Sequence, residues 1–432
     1  MIELDEMTDE GVAVGDDLAA RELLAVSFHY PPAASPRAVQ VARLLKHLKV
    51  KTTLVCADYD DAKDRVDPTL VRGAEAPLAH CLRVPFKRSA PRRLLTRVAY
   101  RLDLPLVDRS PDRFTSWRPG VLSAVERFLN GGGRRPDVLV TFGSPMSDHL
   151  IGLALKRRLG VPWVAHFSDP WLDNPFVPYD RLSRRVNRSL QNPVLGEADR
   201  LVFTSEETVE LVASRQGRAV AEKSRVLGHA FEPALFDETA TRDESRLVVR
   251  HLGALYGPRS PAPLFEALRR LSASDPAALA GVRFELVGTQ GEGQLAAAGL
   301  GALPEGLVVS RPSVEYLESL RLMRESDGLL VIDAPAELSV FLPSKLIDYV
   351  GAARPVCAIT PEGTAARVVR RLGGWVADPS DAAAIAETLK SFIAFLRGHK
   401  HAAAWGDAEA RRGFEAPAVA EKFAGVLREV LG

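Results

Sequence analysis

The stretch FLPSKLIDYVGAARPVCAI, from Phe341 to Ile359, decides how the chain is read. An apolar strand, Leu329 to Asp333, and a polar loop, Ala334 to Ser339, precede it. The stretch enters a helix with Lys345 in its first turn and Asp348 in its second, and a Gly351 turn leads to another apolar strand, Val356 to Ile359. A helix N-terminus presents free N–H groups and a partial positive charge, and both favour a phosphate. Lys345 adds a full charge there, and Asp348, one turn on, is placed to accept hydrogen bonds from a ribose. A solvated lysine on an ordinary amphipathic helix has the same local pattern, so the surroundings must decide.

Outward from this stretch, strand and helix signals alternate along most of the chain. Leu23–Phe28, Thr52–Ala57, Asp137–Phe142, Pro162–Phe167 and Leu201–Thr204 read as buried strands. Helices near 37–48, 147–159 and 206–215 follow three of them. After about residue 225 the pattern restarts, with strands at 247–252, 284–287, 307–310, 329–333 and 356–359. Helices near 261–272, 314–325, 343–352 and 381–397 alternate with these strands. Such alternation predicts an α/β protein with two doubly wound parallel sheets, each covered by helices on both faces. The expected division is an N-terminal domain over 1–225 and a C-terminal domain over 226–410, with 411–432 returning to the first. Ligands in such folds bind at the carboxyl ends of the strands, so the expected site is the cleft between the two sheets.

Composition sets outer limits. The chain has 432 residues, 46% of them hydrophobic, and a formal net charge of +1. The length suits two or three domains, and the balanced charge implies no nucleic-acid partner. Three cysteines, Cys56, Cys81 and Cys357, stand far apart in the sequence and suggest neither a disulfide framework nor a zinc site. The acidic start, MIELDEMTDE, is not a signal peptide, and no apolar run reaches the ~18 residues of a spanning helix. The expected location is cytoplasmic. One region breaks the alternation: between Arg83 and Arg113 nine Lys/Arg face three Asp, and Leu94, Leu95, Val98 and Leu102 share one helical face. A basic amphipathic helix fits an anionic membrane surface, and a solvated face over a domain core fits equally.

Three further segments carry candidate chemistry. HLGALYGPRSP, 251–261, is a strand and a Gly-rich turn, then a helix opened by Pro261. Gly257 and Arg259 lie in that turn, and Arg259 could clamp one pyrophosphate together with Lys345. In HFSDPW, 166–171, Pro170 stops the strand and leaves Asp169 in a loop at its carboxyl end, as a catalytic candidate. His166, inside the apolar strand, reads as a packed core residue. FGSPMSDH, 142–149, repeats the strand–turn–helix theme and puts His149 in the first helical turn, where it could face the cleft. No metal-ligand pattern is evident.

Together these segments resemble the retaining, family 4-like glycosyltransferases of the GT-B fold, and most closely the bacterial branch that builds surface polysaccharides. The matching pieces, in family order, are SFHYPPAASPRAVQVARLLKHL, FGSPMSDHLIGLALKRRLGVPWVAHFSDPWLDNP, FTSEET, HLGALYGPRSPAPLFEALRRL, FELVG, RPSVEYLESLRLMRESDGLLVID and FLPSKLIDYVGAARPVCAI. The resemblance implies two facing Rossmann-like domains and transfer of a sugar from a nucleoside-diphosphate sugar to an acceptor hydroxyl, with retention and without a metal or other cofactor. It implies that Arg259, Lys345 and Gly257 hold the diphosphate, that Asp348 takes the ribose, and that the backbone around Arg311 to Val314 meets the base. It implies catalytic roles for Asp169, Glu337 and His149, and an acceptor near Pro32 and Arg37. The acceptor would be a carbohydrate or a lipid-linked one, with 83–113 docking the enzyme on the inner face of the cell membrane.

The chain departs from the family at four places. Glu337 and Asp348 stand eleven positions apart where the family has two glutamates separated by seven residues. PPAASPR replaces a glycine pair, His229-Ala230 replaces Asn-Gly, and Ser168 stands where the branch has Arg. Two other activities fit the same architecture: a nucleotide-sugar 2-epimerase, and a non-catalytic nucleotide-sugar-binding partner.

Overall fold

The computed structural model describes residues 18–59, 66–71, 75–86, 111–177, 179–237, 241–255, 257–288 and 292–432, except 401 and 403. Residues 87–110, the greater part of the predicted basic helix, lie outside the described residues.

Seven strands form the first sheet: β1 (Glu22–Val26), β2 (Lys51–Asp58), β3 (Leu78–Pro85), β4 (Val138–Gly143), β5 (Trp163–Phe167), β6 (Arg200–Phe203) and β7 (Ser224–Val226). Six form the second: β8 (Leu247–Leu252), β9 (Val282–Val287), β10 (Val308–Arg311), β11 (Gly328–Ile332), β12 (Val356–Ile359) and β13 (Trp375–Ala377). Both are parallel throughout. The α/β class with two doubly wound sheets is therefore as the alternation predicts. The central strands are apolar on both faces because helices cover both; all residues of β4, β5, β8, β11 and β12 are buried.

The strand orders are β3-β2-β1-β4-β5-β6-β7 and β10-β9-β8-β11-β12-β13. Each order reverses once, between β1 and β4 and between β8 and β11. The loops leaving those strands splay apart there and open a crevice at the carboxyl edge. The loops involved are 27–35, 144–146, 253–261 and 333–343, which include the segments singled out in the sequence.

The last helix, Ala416–Leu431, packs against the first, Pro36–His47: Val419, Ala420, Phe423 and Leu427 share one apolar cluster with Val41, Leu44 and Leu45. Glu429 fixes its far end by ion pairs to Arg200 and Arg225 of the first sheet. The chain thus returns to its N-terminal half. No described helix is long and apolar enough to cross a membrane.

Candidate active site

The helix Ser344–Ala352 begins at Pro343, whose side chain supplies no cap. Its first N–H groups lack the usual side-chain acceptor and leave a positive helix end at the crevice. Lys345 turns from this first turn toward the end of β8, where its Nζ lies 3.2 Å from Nε2 of His251. Nδ1 of His251 meets the Leu330 carbonyl at 2.9 Å, so the ring donates there and offers Nε2 to the lysine. A Cβ on Gly253 would stand 2.9 Å from Lys345 Nζ, and one on Gly288 would stand 2.5 Å from the Gly253 oxygen. Bare backbone at both positions lets the lysine lie across the strand ends. Burial, and then the charge of Arg259, push the Lys345 ammonium down to about 7, against the pull of Asp333.

Arg259 arrives from the other loop of the crevice. Its Nε donates to Asp333 Oδ1 at 2.9 Å, and Asp333 is held in turn by the Ala334 N–H and the Ser339 hydroxyl. The guanidinium also stacks 5.5 Å from the ring of Phe176, which belongs to the N-terminal half. Phe176 in turn stacks on Phe341, with centroids 4.8 Å apart and planes 13° from parallel. A cation from a helix start and one from a loop are thus brought together, the second of them against an aromatic pair that bridges the halves.

Asp169 faces this group from the end of β5. It is half-buried, and Ser168 Oγ donates to its Oδ2 at 3.0 Å. Burial holds its carboxyl above the ordinary range, opposed by the Ser168 hydrogen bond and by the charges of Arg37 and Arg259. Asp169, Arg259 and Lys345 are therefore one electrostatic unit built from both halves. Gly257 lies exposed in the same loop as Arg259, with φ +61°.

Other expected site residues sit elsewhere, for identifiable reasons. His149 does not face the cleft. It is fully buried, with Nδ1 2.8 Å from Thr141 Oγ1 and its ring 4.0 Å from that of Phe167. Burial pushes its pKa down to about 3, and its Nε2 has no hydrogen-bond partner among the described residues. The first turn of the helix Ser147–Leu159 packs onto β4, which turns this ring inward. Asp348 does not open toward a ligand either. Its Oδ1 accepts from Arg43 Nη2 at 2.8 Å and from the Tyr316 hydroxyl at 3.2 Å, within the contact between the halves. Arg37 is buried beneath β5, where Nη2 donates to the His166 carbonyl at 2.9 Å and meets that ring's Nδ1 at 3.0 Å. His166 is thus the packed core residue the sequence suggested.

Glu337 is exposed in the loop after β11 and does not join the cationic group. Arg311 lies 3.5 Å from Glu285, and Val314 packs half-buried against the apolar cluster of the second sheet. Pro32 follows a cis Pro31–Pro32 bond, and its carbonyl accepts from the Asp67 N–H at 2.8 Å. Among the described residues no cluster of His, Cys, Asp or Glu is placed to hold a metal ion. His251, Asp333, Phe176 and Phe341 were given no role in the sequence reading. Of these, His251 and Asp333 carried a usable signal, a polar residue near the end of an apolar strand beside the switch point.

Comparison with known proteins shows what the chain is similar to. The model of the glycosyl transferase 4-like domain matches residues 33–230. The N-terminal half is thus similar to that domain. The matched region carries Asp169 and Phe176 in loops and Arg37 in the first turn of the helix Pro36–His47. The chain as a whole is similar to HepE from Anabaena, solved with UDP-glucose, at 16% identity and TM-score 0.62, over 95% of this chain and 100% of that one. It is similar to sucrose-phosphate synthase from Thermosynechococcus elongatus at 15% identity and TM-score 0.66, over 95% and 98%. A UDP-N-acetylglucosamine 2-epimerase-like protein from Listeria monocytogenes shares the arrangement at 10% identity and TM-score 0.55, over 94% and 96%. A comparison with curated protein sequences finds no match. The matched region thus lies within a GT-B fold.

Proposed function

We propose that the protein is a glycosyltransferase that moves a sugar from a nucleoside-diphosphate sugar to an acceptor hydroxyl. The convergence of Arg259 and Lys345 at an uncapped helix end, opposite Asp169, carries this reading. A diphosphate leaving group needs its developing charge neutralised, and two cations with a helix dipole supply that in a site shielded from water. The reading assigns this neutralisation to the protein's own cations in place of a metal ion, and it includes retention at the sugar. This reading puts Asp169, on the N-terminal side of the cleft, near the reacting carbon. Oδ1 of Asp348 already accepts from Arg43 and Tyr316, so this reading rests the donor's hold first on its diphosphate.

The transferase reading takes precedence over epimerisation because the domain that matches residues 33–230 is glycosyl transferase 4-like. The reading extends to polysaccharide or glycoconjugate synthesis with a carbohydrate or lipid-linked acceptor, supported by the family branch and the basic composition of 83–113. The test is nucleoside diphosphate release from UDP-, GDP- and ADP-sugars, with chelator present, against an acceptor panel. Release from one donor class, lost in Lys345→Ala, is the expected result. Conversion of the donor sugar at its 2-position without acceptor would replace transfer by epimerisation, and binding without turnover would make the protein a non-catalytic partner.

A further inference from the structure

Cys56 and Cys81 stand far apart in the sequence, yet their Sγ atoms are 3.8 Å apart. The register explains the meeting. β2 and β3 pair so that Leu54 lies beside Cys81 and Cys56 beside Arg83. Residues directly paired share a sheet face, as do residues two apart on one strand. Cys81 is therefore the diagonal neighbour of Cys56 on one face. β3 is an edge strand, so Cys81 is exposed while Cys56 is buried. This asymmetry is that of an attacking thiol beside a resolving one. The hydrogen bond from Cys56, aided by Arg83, lowers the Cys81 thiol, whereas that same bond and burial raise the Cys56 thiol.

We propose that Cys56 and Cys81 form a reversible dithiol–disulfide site that reacts with a hydroperoxide. The Cys81 thiolate attacks one peroxide oxygen and the O–O bond breaks. Hydroxide leaves, takes a proton to become water, and Cys81 becomes a sulfenic acid. Cys56 sulfur then attacks the Cys81 sulfur and displaces hydroxide, which takes the Cys56 proton. Two thiols and one hydrogen peroxide thus give one disulfide and two waters. To reach bonding distance the two sulfurs close by more than an ångström. Arg83, on the same strand, donates to the Pro31 carbonyl at 3.1 Å, which ties this strand to the Pro31–Pro32 loop at the cleft. The inference stands on the sulfur geometry and not on the transferase reading.

The test treats the full chain with hydrogen peroxide and follows intact mass and a non-reducing peptide map. The expected result is loss of two hydrogens, one peptide pair joining Cys56 to Cys81, and reversal by dithiothreitol. Cys81→Ser abolishes the link, and Cys357→Ser, a buried thiol in the other half, leaves it intact. Cys56→Ala leaves a dimedone-trappable sulfenic acid at Cys81; if that variant does not fold, the wild-type map decides alone. Cross-links only between chains, overoxidation of Cys81 without a link to Cys56, or Cys81 reacting less than about tenfold faster than Cys357 would each overturn the proposal.

Discussion

Lys345 is a lysine poised to change charge near neutral pH, and the sign of that change is testable. In the unliganded protein burial and Arg259 place it at about 7. A bound diphosphate favours the ammonium and raises that value, so above pH 7 binding must take up a proton. Diphosphate affinity should fall as pH rises from 7 to 9, by up to about tenfold per pH unit. Calorimetry in buffers of different ionisation heat should show the uptake in the wild type and not in Lys345→Arg; a flat pH profile would contradict the assignment. Asp169→Asn should abolish transfer while leaving donor affinity within about threefold; retained turnover would make Asp169 structural. At this scale the sequence was readable where a charged side chain follows a strand end, as for Lys345, Arg259 and Asp169. It misled at His149, because which way a first-turn side chain points depends on how the helix packs. At Asp348 it could not show that Arg43, 305 positions away, would occupy the carboxylate.

At the scale of elements, two strand ends and one helix start make the cradle. A Cβ at Gly253 would push on Lys345 Nζ and Cε, at 2.9 and 3.2 Å, whereas one at Gly257 would meet nothing within 4 Å. Gly253→Ala should therefore weaken nucleoside diphosphate binding at least about tenfold, or ~1.4 kcal/mol, and Gly257→Ala by clearly less. Titration of the two variants checks this, and equal losses would contradict the close approach. The strands beside the switch points were legible because burial on both faces makes them continuous apolar runs. β3 was not, because an edge strand with five exposed residues of eight carries no such run. The helix Arg181–Glu197 was also missed. Its buried positions include Asn187 and Gln191, whose side chains accept from Trp171 Nε1 and the Leu172 N–H, so polar residues do a core's work there. β13 is three residues long, below what periodicity can signal.

Across the whole molecule, the halves meet through polar contacts in addition to the Phe176–Phe341 stack. Ser205 and Thr208 hydroxyls both donate to the Val340 carbonyl, at 2.7 and 2.9 Å. Glu207 pairs with Arg367 and accepts from Thr364. The Arg43–Asp348 pair is buried, so removing one partner leaves a charge with neither water nor counterion. Arg43→Ala should cost ~3–5 kcal/mol of stability, and the double variant Arg43→Ala/Asp348→Ala less than the sum of the single ones. Chemical denaturation of the four proteins measures the coupling; additive losses would show that the pair does not join the halves. The two-sheet plan was legible from alternation alone, but these contacts were not, since no sequence period records which surfaces face each other.

The most direct test of a nucleotide-sugar cleft is calorimetric titration of the wild type, Arg259→Ala and Lys345→Ala with UDP, GDP and ADP, chelator present. One nucleotide should bind the wild type tightly, and each variant should lose ~1.5–3 kcal/mol of that binding, as for hydrogen bonds to charged groups. Binding of none of the three, or wild-type affinity in both variants, would contradict a nucleotide-sugar cleft.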